Sequence, residues 1–320
     1  MKVIVTGAAG FIGSCLVWKL NQAGITDILA VDELSDAKWP NLLGKDFSDY
    51  LDKDAFLTRV LTDSLGKWDA LVHLGACSST TVTDAQYVLS VNYEYSKTLA
   101  EWALKNRVRF LYASSGATYG DGSLGFSDAD ETSRKLAPLN LYGFSKYLFD
   151  RWVIDRRLTD KVAGFKFFNV FGPNEYHKGE MRSVVAKSYE RIQQDGRIVL
   201  FKSHRPDYKD GEQKRDFVYV KDIVEIMRWF LERPDKNGIF NLGTGRARTF
   251  NDLVGALFTA LKLPPQIGYI DTPENIREKY QYFTQADISK LRAAGCAHQF
   301  MELEAAVADY AGYLKNNSYL

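Results

Sequence analysis

Between the short β-branched run Val3–Val5 and a stretch of helical period, Phe11–Ala23, lies the turn Thr6-Gly7-Ala8-Ala9-Gly10-Phe11-Ile12-Gly13. A strand that turns on glycines directly into a helix opens a parallel βαβ unit. One glycine permits the tight turn, another lets the backbone approach a pyrophosphate, and the third lets helix and strand pack closely. The helix N-terminus then faces the negative charge. The spacing here is GxxGxxG, and its place between strand and helix makes it a candidate dinucleotide site.

The same rhythm continues along the chain. Ile28–Val31, Ala70–Leu74, Arg109–Ala113 and Val162–Asn169 read as strands, and Lys53–Asp63, Asp84–Asn106 and Tyr142–Thr159 read as helices with apolar residues three and four apart. The expected fold class is α/β: a doubly wound parallel sheet (Rossmann) with a smaller C-terminal substrate lobe. With 320 residues, and roughly 150 per domain, the chain divides into a dinucleotide-binding domain at 1–170 and a mainly substrate-binding lobe at 171–320. A helix near Met181–Asp195 and a polar stretch His204–Arg215 belong to the lobe. The strand-and-helix pattern of Phe217–Glu232 and Ile239–Leu242 places 217–245 back on the main sheet.

Composition removes other classes. Lys and Arg total 41 against 40 Asp and Glu, interspersed along the chain, so a nucleic-acid partner is not expected. No segment reaches the roughly 18 uninterrupted apolar residues of a membrane span. Cys15, Cys77 and Cys296 are odd in number, widely spaced and without histidine companions, which excludes a disulfide framework and leaves no metal site to predict. The first residues form a strand too short for a signal peptide's apolar core, so the expected compartment is the cytoplasm.

Asp32 ends the second strand, about 20 residues beyond the glycines, where a carboxylate can bind the adenosine ribose hydroxyls of NAD. Lys38 follows in the same loop and would instead accept the extra phosphate of NADP with Asp32 turned aside, while Glu33 adds an opposing negative charge. Leu74 runs into Gly75-Ala76-Cys77-Ser78, small residues over which a cofactor can lie at a strand end. Asn92, in the next helix, either bridges main-chain groups near the site or packs the helix.

Tyr142-Gly143-Phe144-Ser145-Lys146 opens a helix just after a strand that ends in Ser114-Ser115. Positions i and i+4 share a helix face, so the Lys146 ammonium and an oxidised nicotinamide would favour the Tyr142 phenolate. Tyr142 could then take a proton from a substrate alcohol whose oxygen Ser115 holds. Tyr93 and Lys97 repeat the spacing, but they lie mid-helix before the serine strand and read as surface or packing.

Together TGAAGFIG, Asp32, ASSGATYG and YGFSK resemble the extended short-chain dehydrogenase/reductase superfamily of nucleotide-sugar epimerases and dehydratases. Gly116 and Ala117 stand where its dehydratases carry an acidic pair, which points away from dehydration. The segments GACSSTT (75–81), FNVFGPNEYHKGEMRSV (168–184), KRDFVYVKD (214–222) and FTQADISKLRAAG (283–295) are similar to the ADP-L-glycero-D-manno-heptose 6-epimerase family. That resemblance implies reversible oxidation at C6 of an ADP-heptose with tightly bound NADP, for the lipopolysaccharide inner core. It implies Tyr142 and Lys178 as the two acid/base groups, with Ser115 and Lys146, because inversion presents the alcohol proton in two orientations. It extends the cofactor set to Gly7, Gly10, Phe11, Ile12, Gly13, Asp32, Glu33, Lys38, Lys53, Leu74, Gly75, Ala76, Cys77, Ser78, Asn92, Lys146, Val170 and Lys178. The implied substrate residues are Ser115, Asn169, Glu180, Lys187, Phe201, His204, Arg215 and Tyr280, and the implied assembly is a homo-oligomer, a homopentamer in that family. A uridine-sugar 4-epimerase or a silent dinucleotide sensor are the competing readings.

Overall fold

The first strand, Val3–Thr6, is buried along its whole length, as a strand covered by helices on both faces must be. In the computed structural model, which describes residues 1–277 and 280–320, it is β1 of a seven-stranded parallel sheet. The others are β2 (Ile28–Asp32), β3 (Asp49–Asp52), β4 (Ala70–His73), β5 (Arg109–Ser115), β6 (Val162–Phe167) and β7 (Gly238–Leu242). Their order is β7-β6-β5-β4-β1-β2-β3, so the winding reverses between β1 and β4. At such a switch point the connections leave in opposite directions and open a crevice beyond the carboxyl ends of the strands.

Alternate residues of β1 enter opposite cores. Val3 and Val5 pack with the helices Phe11–Gln22 and Val220–Leu231 on one face. Ile4 packs on the other face with Phe56, Leu99, Trp102, Phe149 and Val153. Helix Val220–Leu231 and strand β7 therefore complete the main sheet from the second half of the chain.

Three local departures from the sequence reading have physical causes. The run 162–169 is broken: β6 ends at Phe167, Phe168 N–H donates to Leu242 O, and Asn169–Phe171 pairs in parallel with Phe217–Tyr219 as a separate ribbon. The helix expected over 84–106 carries a π turn at Ser90–Glu94 between Ala85–Leu89 and Tyr95–Lys105. Strand β3 was not anticipated, because Asp49-Tyr50-Leu51-Asp52 is a partly exposed edge strand with little apolar signal. In the lobe, Ile198–Phe201 pairs in parallel with Ile267–Ile270, and helix Val184–Asp195 begins at the Ser183 cap. Among the described residues no helix is long and apolar enough to cross a membrane.

Behind the carboxyl end of β5 the core holds a charge pair. The Lys166 ammonium is 2.6 Å from Asp150 Oδ2, and both side chains are fully buried. Tyr112 and Ser114 hydroxyls donate to the same carboxylate at 3.0 and 2.7 Å, and Lys166 also donates to Thr118 Oγ1 at 2.8 Å. Every charge in the cluster is thus paired and hydrogen-bonded, the condition under which buried ions are tolerated. Asp150→Ala would leave the ammonium uncompensated, and denaturant unfolding should show a loss of about 3–5 kcal/mol.

Candidate active site

The crevice at the switch point is a cavity of about 430 Å³. Its floor is the glycine turn. Gly7 has φ +71°, a left-handed conformation that side chains disfavour, and a Cβ there would stand 2.7 Å from Gly75 N. A Cβ on Gly13 would lie 1.9 Å from Gly7 O. The turn and the β4 end therefore meet backbone to backbone, and helix Phe11–Gln22 starts at Gly10 with no side-chain cap and no acid in its first turn. Its free N–H groups and positive dipole end fit a dinucleotide pyrophosphate.

Sixteen of the residues singled out in the sequence line this cavity: Gly7, Gly10, Phe11, Ile12, Gly13, Asp32, Lys38, Leu74, Gly75, Ala76, Ser78, Ser115, Tyr142, Lys146, Val170 and Lys178. Asp32 is buried, and it accepts from Ala9 N at 2.8 Å and Glu33 N at 2.7 Å, with the Lys38 ammonium at 3.0 Å. Glu33 and Lys53 are not in the cavity lining and pair with each other. Cys77 and Asn92 also lie outside the lining. Asn92 accepts from Cys77 N at 2.8 Å and donates to Cys77 O at 2.9 Å and to Ser145 Oγ at 3.0 Å, and Ser145 in turn donates to Tyr142 O at 2.7 Å. The π turn that swings Asn92 inward thus ties the cofactor-side loop to the start of helix Leu141–Asp155.

Asn140 caps that helix by accepting from Gly143 N at 2.8 Å, and Tyr142, Lys146 and Asp150 follow at four-residue steps on one face. Lys146 donates to Ala113 O at 3.0 Å, and burial pulls its pKa down to about 8 against the opposing pull of Asp150. Burial holds the Tyr142 phenol above its ordinary value, while the Ser115 hydroxyl hydrogen-bonded to it draws it down. The lowering expected from Lys146 is not found: that ammonium is itself desolvated and directed at a carbonyl, and the phenol lies above its ordinary value. Ser115 Oγ also accepts from Ala117 N at 3.1 Å, which fixes the hydroxyl beside Tyr142. Across the cavity, the Lys178 ammonium sits 5.3 Å from the centre of the Phe11 ring, and burial lowers its pKa against the pull of Glu175.

A second cavity, of about 380 Å³, gathers Glu180, Lys187, Phe201, Arg215 and Tyr280. The segment Tyr176–Met181 separates the two, with Lys178 and Met181 on the first and Glu180 on the second. Arg215 is buried, lies over the rings of Phe250 at 5.7 Å and Tyr280 at 5.4 Å, and donates to the carbonyls of Lys214 and Gln281. Among the described residues it forms no ion pair, so a buried guanidinium awaits an anion. Asn169 and His204 line neither cavity: Asn169 is exposed, and His204 Nε2 accepts from Thr272 N at 3.1 Å. His177, Ser79, Phe168 and Met181 line the first cavity without having been singled out, although His177 adjoined Lys178 in a quoted segment.

The model of the NAD dependent epimerase/dehydratase family matches residues 3–243. The chain belongs to that family. An ADP-L-glycero-D-manno-heptose-6-epimerase of Nitratidesulfovibrio vulgaris is 56% identical over 310 residues, 96% of each chain. The crystal structure of the Helicobacter pylori enzyme of the same name superposes with a TM-score of 0.83 at 26% identity, covering 98% of this chain and 96% of that one. A Thermus thermophilus UDP-glucose 4-epimerase solved in complex with NAD gives 0.77 at 26% identity, covering 99% and 100%. Within the family, this epimerase places its glycine turn and its Tyr142-Lys146 pair around one cavity. Gly13→Ala should release bound nucleotide, read as loss of 260 nm absorbance from the purified protein, because neither Gly7 O nor the helix can retreat 1 Å or more without opening the turn.

Proposed function

We propose that this epimerase inverts C6 of ADP-D-glycero-D-manno-heptose with tightly bound NADP. The observation that carries the substrate class is the buried Arg215 guanidinium, without an ion-pair partner among the described residues, between two aromatic faces in a cavity that also holds Lys187. A guanidinium in that setting suits a diphosphate, and Phe201 and Tyr280 offer faces for a base or sugar. The choice of ADP-heptose rests on the 56% identity to the Nitratidesulfovibrio relative. Residues 1–170 would mainly carry the dinucleotide and 171–320 mainly the substrate.

The cofactor's extra phosphate is favoured by the state of the acids at the β2 end. Asp32 already takes three donors, Glu33 is held by Lys53, and Lys38 lines the cavity. The glycine turn, the uncapped helix start and the Gly75–Ser78 loop would hold the pyrophosphate and riboses, and Lys146 the nicotinamide end. When bound, the dinucleotide supplies a hydride acceptor that also serves as donor, so no external reductant is consumed.

This chain's own residues manage the proton. Ser115 donates to the reacting oxygen and fixes it beside Tyr142, whose phenolate would take the alcohol proton on one side and whose hydroxyl would return it. Lys146, one turn further along the same helix face, is held by the Ala113 carbonyl. Lys178, on the far wall, is the group that serves the other epimer. Burial lowers its pKa below the ordinary lysine value, which makes its proton easier to give up. At Gly116 and Ala117 there is no carboxylate to eliminate water. The proposal extends, on the sequence resemblance, to lipopolysaccharide inner-core precursor synthesis by a cytoplasmic homo-oligomer.

Proton NMR of ADP-D-glycero-D-manno-heptose with the purified protein and no added reductant should show the C6 epimer accumulate. Tyr142→Phe and Lys178→Met should each slow this by about 10²–10⁴-fold, the usual worth of a positioned acid/base group. An unaffected Lys178→Met enzyme would point to a single-tyrosine epimerase of another nucleotide sugar.

A further inference from the structure

Lys178 reaches the first cavity from a segment that is fastened from behind by a carboxyl with no place in the reaction as described. The turn Tyr176–Met181 starts directly after Glu175, and Lys178 N–H donates to Glu175 O at 3.0 Å. The Glu175 side chain is fully buried and lines neither cavity. It accepts from Ser183 N at 2.6 Å and Ser183 Oγ at 2.5 Å, at the cap of helix Val184–Asp195. The Tyr310 hydroxyl, on helix Leu303–Asn316, donates to it at 2.9 Å. An ionised carboxyl is the acceptor-only group that uses all three donors, and a helix N-terminus favours its charge. The chain on either side of Glu175 is held separately. Asn174 donates to Ser14 Oγ at 3.0 Å and accepts from Leu320 N at 2.9 Å, and the Tyr176 hydroxyl donates to Ser318 O at 2.8 Å.

Titratable and charged groups face Glu175 from each of these elements. Cys15, on helix Phe11–Gln22, is pushed up to about 12 by burial and stays a neutral thiol. Burial likewise holds the Tyr310 and Tyr176 phenols above their ordinary value. Arg182, just ahead of the Ser183 cap, is paired with Glu190. Lys178 is the cation that draws the Glu175 carboxyl back toward ionisation against its burial. Around Lys178 itself stand the Phe11 ring and His177, which burial and the Lys38 and Lys178 charges hold down to about 4 and so neutral. The negative charge opposing the burial of Lys178 is that of Glu175.

We propose that Glu175 is a positioning residue for the reaction, anchoring the Lys178 segment to two helices and placing its negative charge behind the ammonium. This rests on the reading of Lys178 as the second acid/base group. A carboxylate so placed keeps the ammonium protonated to higher pH, and its removal lets the lysine lose its proton at lower pH.

The lysine is read directly, without turnover. Wild type, Glu175→Gln and Tyr310→Phe are treated with a trace of isotopically labelled acetic anhydride over a pH series, and acylation of Lys178 is quantified by peptide mass spectrometry. Only the neutral amine reacts, so the profile gives the midpoint of its titration. Glu175→Gln keeps the size of the side chain and removes the charge, and its midpoint should fall by about one pH unit or more. Tyr310→Phe removes one hydrogen bond to the same carboxyl and leaves the charge, and its midpoint should stay at the wild-type value. In C6 epimerisation, kcat of Glu175→Gln should drop about tenfold with KM within about threefold of wild type, because Glu175 lines neither cavity. An unmoved midpoint in Glu175→Gln, or a displaced one in Tyr310→Phe, overturns the proposal and leaves the role of Lys178 standing. Full activity in Lys178→Met overturns that role and the proposal with it.

Discussion

Backbone contact between the Gly7 turn and the end of β4 sets the geometry on which the rest of the site depends. With a Cβ at Gly7 only 2.7 Å from Gly75 N, there is no room for a side chain between the two strand ends. Gly75 N donates to Thr6 Oγ1 at 3.2 Å, and His73 Nδ1 lies 2.7 Å from the same oxygen. His73 is fully buried and its pKa is pushed down to about 3, so it stays neutral and links Thr6 to Ser96, 2.8 Å from Nε2. The floor of the crevice is in this way a rigid junction of β1, β4 and the helix behind them. A flat, positively biased floor at that junction is what a dinucleotide requires.

Helix Leu141–Asp155 solves a different problem, which is to keep a lysine charged in a dry setting. Tyr142, Lys146 and Asp150 fall on one face because the helix repeats every 3.6 residues. Asp150 favours the Lys146 charge, and Lys166, Tyr112 and Ser114 all serve its two oxygens. The order along that face runs from the Tyr142 hydroxyl to a cation to a satisfied carboxylate. Charge deep in the core thereby supports charge at the cavity wall.

Much of this was legible in the sequence because it is local. Glycines seven residues from a chain start that reads as a strand, and a Tyr–Lys pair four apart after a serine strand, are constrained by dihedral preferences and helix pitch, both properties of short segments. The grouping of Glu180, Lys187, Phe201, Arg215 and Tyr280 in one cavity was expected from resemblance, and the structure brings them together although 100 residues separate the first from the last. His204 and Asn169 were expected with them, yet the His204 ring nitrogen accepts from the Thr272 backbone just beyond strand Ile267–Ile270. Asn92 was open between two roles, and the π turn decided it: only an extra residue in the helical repeat brings its amide to Cys77 and Ser145.

By itself the sequence determined the alternation of strand and helix, the dinucleotide turn and the helix face that bears Tyr142 and Lys146, since each follows from residues within a few positions of one another. Only the tertiary structure decided where the winding reverses, which acids are already paired, and that Glu175 and Tyr310, 135 residues apart, share a hydrogen bond behind Lys178. Those outcomes depend on partners brought together from distant strands, and the free valence of a buried polar group is known only when all its neighbours are in place.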